Sequence, residues 1–146
     1  MHKSFYASGF LYHSPSQQIL LQVDNTHDTL SYSLFSGIGS IEESAPSVFQ
    51  RILQQDLGVL IPLTSINPIY DYYYAKFGKN HFIQYAQVEN MALHETSPTR
   101  CTTGWIALKK LSKCTLTEQI RHDIIIGERV IRAAEDLLQR AAQVAH

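Results

Sequence analysis

The chain has 146 residues, of which 45% are hydrophobic, and its 12 basic and 13 acidic residues give a formal charge of −1. This length is typical of one domain, and this apolar content supports a full core without a disulfide or a metal. The balanced charge argues against duplex DNA as a partner, because a protein that binds the phosphate backbone needs a surplus of Lys and Arg. It is compatible with a small phosphate-containing ligand.

The two cysteines, Cys101 and Cys114, do not form a CxxC pair, which argues against a disulfide framework and against a zinc ribbon. The apolar stretch at residues 5–12 is too short for the core of a signal peptide. No run approaches the ~20 apolar residues that span a bilayer. We therefore expect a cytoplasmic protein that forms a single domain over residues 1–146.

The first predicted elements are strands. Residues 8–13 and 18–23 are apolar runs, and the Ser-Pro-Ser turn signal between them predicts a hairpin. Residues 30–35 alternate between apolar and polar side chains, which predicts a further strand that ends at Gly37.

A helix is predicted next. Ser44 or Ala45 can begin it, and Pro46 suits the first turn, where the missing N–H has no helical partner. Gly58 ends it, because glycine readily adopts the left-handed conformation that closes a helix. Apolar residues recur every four positions and form its buried stripe: Phe49, Leu53 and Leu57.

The second half of the chain predicts a tyrosine-rich hairpin, one more strand and a terminal helix. The hairpin strands are residues 69–77 and 81–88, with a turn at 78–80, and the strand at 104–108 carries the only tryptophan. From about Thr117 the chain is helical, and Gly127 could divide this region into two helices. Its predicted buried side consists of Ile120, Ile124, Ile131, Ala134 and Leu138. Strands flanked by helices indicate a layered α/β sandwich.

One segment carries a family resemblance. The Nudix (MutT-like) hydrolase signature consists of a glycine, a glutamate six positions later, and an Arg-Glu-apolar-x-Glu-Glu-x-Gly-apolar run. Six of its nine specified positions match at the family's spacing: Gly37, Glu43, Arg51, Leu53, Gly58 and Val59. The order of the elements is also similar over nearly the whole chain. The resemblance implies an α/β/α sandwich with a mixed sheet and a C-terminal helix.

The departures from the signature concern its chemistry. In the family, three helix glutamates on one face hold Mg²⁺ on a diphosphate, and here those positions are Ile52, Gln55 and Asp56. The Nudix box is therefore degenerate. The resemblance implies a candidate metal-dependent hydrolase of nucleoside diphosphate-linked compounds whose pyrophosphohydrolase activity is weak, differently metallated or absent.

The resemblance also implies candidate site residues. Asp56 and Glu95 are the catalytic candidates, with Glu89 as a weaker alternative to Glu95. The Gly37 carbonyl, Gln55 and Asp56 are the candidate ligands for Mg²⁺, with Mn²⁺ as the alternative metal. As alternatives to these roles, Asp56 could be a solvated acid or a loop cap, and Ile52 could simply pack under a neighbouring loop.

Arg51 and Glu43 are the candidate substrate-binding residues. An ion pair that orients the loop is the favoured interpretation for them, and direct phosphate contact is the alternative. Two further hypotheses belong to other classes of function. The chain could be a non-catalytic nucleotide-binding module with Ile52 and Val48 as an apolar wall. It could also be a homodimeric interaction protein that pairs through the tyrosine hairpin or the terminal helix.

Overall fold

The computed structural model describes residues 4–24, 30–92 and 102–144. It contains seven strands and two α-helices. In chain order these are β1 (Phe5–His13), β2 (Gln18–Asp24), β3 (Ser31–Ser33), β4 (Phe35–Gly39), α1 (Ala45–Leu57), β5 (Ile66–Tyr74), β6 (Lys79–Gln87), β7 (Thr103–Ala107) and α2 (Glu118–Val144). Short 3₁₀ helices at Leu63–Ser65 and Leu108–Lys113 join neighbouring elements.

The strands form one mixed sheet in the order β3-β2-β1-β6-β5. The pair β1–β6 is parallel, whereas β1–β2, β2–β3 and β5–β6 are antiparallel. β4 pairs with the first half of β1, and β7 pairs with β2. Among the described residues, β1 is the only strand that pairs with β4, so β4 is an edge strand.

Each face of the sheet carries its own apolar core, because side chains alternate between the faces along a strand. Ala7 and Leu11 of β1 pack in a cluster with the buried side of α1. Phe10 and Tyr12, from the same strand, pack in a second cluster with Ile124 of α2. This arrangement of helix, sheet and helix confirms the predicted α/β/α sandwich with a mixed sheet and a C-terminal helix.

The predicted strand at residues 30–35 is wrong in its bounds. The structure has two strands there, β3 and β4, which pair with different neighbours, β2 and β1. The turn of the tyrosine hairpin also lies earlier than predicted, at residues 75–78. Gly78 provides its left-handed residue, with φ of 62°, and Lys79 already belongs to β6.

Two predictions about the terminal helix are also wrong. Gly127 does not divide it, since α2 is continuous from Glu118 to Val144. The predicted buried side is correct at Ile124 and Ile131 but wrong at Leu138, which is 72% exposed. The last turns of α2 therefore extend past the sheet. No helix in the described ranges is long and apolar enough to cross a membrane.

Candidate functional site

The box helix α1 has strong local signals at both ends. Ser44 is its N-cap and accepts a hydrogen bond from the backbone N–H of Ser47, whose side chain in turn accepts from the N–H of Ser44. Gly58 closes the helix with φ of 71°. The predicted bounds of this helix are thus confirmed, and the helix presents the box positions at a defined place beside β4.

Ile52 occupies the box position at which the family has its first glutamate, and it lies on Gly37. A Cβ atom added to Gly37 would be 2.6 Å from Ile52 Cδ1 and 2.8 Å from Ile52 Cγ1. Ile52 is 4% exposed and belongs to the same apolar cluster as Val48. The interpretation of Ile52 as a packing residue therefore agrees with the structure, except that Ile52 packs on β4 rather than under a loop, and its hydrocarbon atoms fill the space between helix and strand.

The two polar box positions have different surroundings. Gln55 is exposed. Asp56 is half-buried and accepts a hydrogen bond from Gln22 Nε2 over 3.1 Å. The side chain of Asp56 is thus fixed against β2 rather than extended into solvent.

The predicted ion pair between Arg51 and Glu43 is present, with 3.1 Å between Nη2 and Oε2. The same Arg51 nitrogen donates to the carbonyl of Ile38 over 3.1 Å, and Glu43 accepts from the backbone N–H of Ser40. These contacts hold the loop between β4 and α1 in place against the helix. Both side chains of the pair stay partly exposed, so they are also accessible to a ligand.

Two candidate acids remain. Glu95 lies outside the described residues, and Glu89 is exposed at the end of β6. Among residues 4–24, 30–92 and 102–144, no three His, Cys, Asp or Glu side chains converge on a point that could hold a metal. Of the three helix positions at which the family has glutamates, all of them described, only Asp56 carries a carboxylate.

A cleft that the sequence analysis did not identify lies on the other face of the sheet. It measures about 390 Å³. Its floor comes from β1, β4, β5 and β6, and its wall comes from the start of α2. The lining residues that bear on its chemistry are Ser8, Ser36, Tyr72, His81, Gln119 and Asp123.

A chain of hydrogen bonds runs across the floor of the cleft. Tyr72 Oη lies 2.8 Å from His81 Nδ1, and His81 Nε2 lies 2.6 Å from Ser8 Oγ. Ser8 Oγ is 2.8 Å from Ser36 Oγ, which lies 3.3 Å from the carbonyl oxygen of Leu34. Burial lowers the pKa of His81 below its ordinary value of 6.5, so this imidazole is neutral at neutral pH.

Asp123 lies at the wall of the cleft and is 1% exposed. Its Oδ1 accepts from Tyr70 Oη over 2.5 Å and from Gln119 Nε2 over 2.9 Å. Burial raises the pKa of Asp123, and these two donors oppose that shift. Burial also raises the pKa of Tyr70 and Tyr72, so both phenols are protonated at neutral pH.

One sequence signal pointed toward this cleft. Tyr70, Tyr72 and Tyr74 are two positions apart, which places all three on the face of β5 that the α2 cluster covers. In the sequence they were predicted only as part of the tyrosine-rich hairpin, with no connection to Asp123.

No family model matches the sequence, and no curated protein is significantly similar to it. Solved structures do match the fold. The Nudix domain of Shewanella oneidensis NrtR, in complex with ADP ribose, superposes with a TM-score of 0.62 at 17% identity, over 88% of this chain and 86% of that one. A MutT/Nudix family protein from Listeria innocua gives 0.62 at 15% identity, over 93% and 97%.

A Nudix-family hydrolase from Clostridium perfringens gives a TM-score of 0.61 at 14% identity, over 86% of this chain and 94% of that one. Each match covers most of both chains. The resemblance first seen in residues 37–59 thus extends to the overall architecture, and the chain has the Nudix fold.

Proposed function

We propose that this protein binds a small phosphate-containing ligand of the nucleoside diphosphate-linked class and that its metal-dependent hydrolysis of this ligand is weak. The fold supports the ligand class, since the Nudix domain of NrtR holds ADP ribose. The weak hydrolysis follows from the box residues.

The contact between Ile52 and Gly37 carries the proposal. In the family resemblance, a metal-binding carboxylate and a metal-facing carbonyl occupy these two positions. Here the Cδ1 methyl and Cγ1 methylene groups of Ile52 lie directly on the glycine. Since Mg²⁺ requires oxygen ligands in near-octahedral geometry, an apolar side chain at this point removes one ligand and also displaces water that could replace it.

The donors that are left suit a loosely held, hydrated ion rather than a dedicated cage. In this proposal Asp56 and Glu95 are the catalytic carboxylates, and the Gly37 carbonyl, Gln55 and Asp56 would hold Mg²⁺ or Mn²⁺. Arg51 and Glu43 would contact the substrate while their ion pair keeps the loop in place. Losing one general base alone typically lowers a rate by about 10²–10⁴.

The ligand could reach both sides of β4 because this strand lies at the edge of the sheet. Ser36 lines the cleft on the α2 side, whereas the adjacent Gly37 faces α1. A ligand with its diphosphate near the box helix and its other end in the cleft would cross this edge. The proposal therefore uses one extended site rather than two separate ones.

Restoring the two lost glutamates tests the proposal. Ile52→Glu with Gln55→Glu should raise Mg²⁺-dependent turnover of ADP ribose and similar diphosphates by about 10–100-fold, since it returns both missing carboxylates. The buried Glu at position 52 should also lower the melting temperature, and Mg²⁺ should restore it. Turnover and melting are measured with Mg²⁺, with Mn²⁺ and with a chelator.

The matched control is Ile52→Gln with Gln55→Glu, which has the same bulk at position 52 but no carboxylate there. It should show neither the gain in turnover nor the stabilisation by Mg²⁺. Wild-type turnover should be abolished by Asp56→Asn. A folded double-glutamate variant with no turnover and no metal-dependent melting would contradict the proposal.

A second candidate function is homodimeric interaction through the end of α2. Its favouring observation is the exposure of Leu137, Leu138 and Val144, at 67%, 72% and 86%.

A further inference from the structure

The chain of hydrogen bonds across the floor of the cleft has a defined donor-to-acceptor direction, because each hydroxyl group has only one hydrogen to donate. Ser36 Oγ bonds to the carbonyl of Leu34, which can only accept, so the single hydroxyl hydrogen of Ser36 is used there. Ser8 must therefore donate to Ser36. Because this uses the only hydroxyl hydrogen of Ser8, the bond between Ser8 and His81 requires a hydrogen on His81 Nε2.

The same assignment of hydrogens extends to Tyr72. A neutral imidazole carries one N–H, and here it is on Nε2, so Nδ1 of His81 accepts from the Tyr72 hydroxyl. Tyr72 has then used its only hydrogen, and its oxygen can offer only lone pairs to the cleft that it lines. At this point the cleft accepts hydrogen bonds and does not donate them.

Asp123 adds a second acceptor to the same cleft. Both of its donors, Tyr70 and Gln119, bond to Oδ1. Within residues 4–24, 30–92 and 102–144, no group donates to Oδ2. A buried carboxylate oxygen without a donor is unfavourable, so a ligand that supplies one gains free energy.

The rest of the described lining consists of aromatic, aliphatic and hydroxyl side chains, without a positive charge. Five rings contact one another in a closed circuit, with neighbouring centroids 5.2–6.1 Å apart: Tyr6, Phe77, Tyr74, Tyr72 and His81. Among the described lining residues there is no Lys or Arg. Lys76 places its ammonium over the Phe77 ring, 5.6 Å from the centroid, but does not line the cleft.

We propose that this cleft binds an organic cation whose nitrogen carries hydrogens, such as an ammonium or amidinium group. Such a group has only donors, which match the two acceptors Tyr72 Oη and Asp123 Oδ2. Its charge complements the carboxylate, and its carbon atoms and charge both suit aromatic walls. This cleft would also take the far end of the diphosphate-linked ligand proposed above, but the inference does not rest on that function, since no phosphate takes part in it.

Three compounds that share a benzyl group test the proposal. Benzylammonium should bind with a dissociation constant on the order of 1 mM, as suits a fragment of this size. Benzyl alcohol lacks the charge, and benzyltrimethylammonium lacks the donors, so both should bind at least about tenfold more weakly. Affinity is measured by NMR titration, with the His81 imidazole and the Gln119 side-chain amide as reporters within the cleft.

Variants separate cleft binding from nonspecific binding to surface carboxylates. Asp123→Asn should weaken benzylammonium about tenfold or more, and Tyr72→Phe should weaken it less, since it removes one neutral acceptor. The matched control is Asp136→Asn, which removes an exposed acid from the same helix and should change nothing. Equal affinities for benzylammonium and benzyl alcohol, an unchanged affinity in Asp123→Asn, or no shifts of the cleft reporters would overturn the proposal.

Discussion

Asp123 combines a buried position with an oxygen that no described residue satisfies. Burial disfavours its charged form, whereas Tyr70 and Gln119 favour it by donating to Oδ1. The net effect raises its pKa above the ordinary value of 3.8. This residue therefore lowers the stability of the folded chain at neutral pH, which is common for groups that are retained for binding.

The sign of its effect on stability follows from linkage. Because the folded-state pKa is raised, the folded protein holds this proton more tightly than the unfolded chain does. The favourable contribution is complete below pH 3.8 and is lost as the pH rises through the folded-state pKa. Tyr70, Tyr72 and the neighbouring His122 are the other titratable groups that surround the carboxylate.

Asp123→Asn should accordingly stabilise the protein at pH 7, by on the order of 1 kcal/mol. The amide keeps an acceptor for Tyr70 and carries no charge. The stabilisation of the variant relative to the wild type should shrink as the pH falls toward 3.8, because the wild-type carboxyl becomes protonated there. Urea denaturation at several pH values measures it. A variant that is less stable at every pH would show that the carboxylate has a structural role instead.

At the scale of elements, α2 is continuous through Gly127. The residue at this position is a glycine because the sheet approaches the helix too closely for a side chain. A Cβ at this position would lie 2.9 Å from Ile69 Cδ1 and 3.0 Å from Phe10 Cζ. Helix propensity predicted a weak point here, since glycine disfavours a helix. Packing against β1 and β5 outweighs that preference, so the helix continues and covers the second core.

Gly127→Ala should destabilise the protein by about 1–2 kcal/mol, because overpacking exceeds the gain in helix propensity. Ile69→Val removes the Cδ1 atom that the new methyl group would meet. The double variant should therefore lose less free energy of unfolding than the two single variants lose in total. Chemical denaturation of the single and double variants measures this coupling. Strictly additive costs would place the strain at Phe10 or elsewhere.

The box helix could be predicted to within one residue because its signals are local: the start at Ser44 or Ala45 and the glycine at position 58. The cleft could not be predicted in this way. Ser8 and His81 are 73 positions apart in the chain, and Tyr70 and Asp123 are 53 apart. Their contacts depend on the register of the parallel β1–β6 pair and on where α2 crosses β5, and neither is visible in one sequence.

At the scale of the whole molecule, one sheet separates two cores, and we propose that residues 1–146 form a single domain. The described strands all belong to the sheet, and the two described α-helices contribute to the two clusters. The end of α2 is the exception, since Leu137 and Leu138 extend past the sheet with most of their surface exposed. An apolar surface of this kind is suited to a second copy of the chain.

If this surface pairs two copies, sedimentation velocity over a range of concentrations should show a monomer–dimer equilibrium. Leu138→Glu should shift it to monomer while leaving the melting temperature within about 1 °C, because the side chain is already exposed. Leu60→Glu, at another exposed leucine, is the control and should leave the equilibrium unchanged. A wild-type protein that is monomeric at all concentrations would exclude this candidate function.

The alternation along β4 links the two sides of the molecule in a way that restricts how the protein can change. Ser36 and Gly37 are consecutive, yet one opens into the cleft and the other supports the box helix. Inserting or deleting a single residue in this strand would exchange their orientations and disrupt both compartments together. Natural or engineered variants that alter ligand choice should therefore carry their length changes in loops, and substitutions alone within β4.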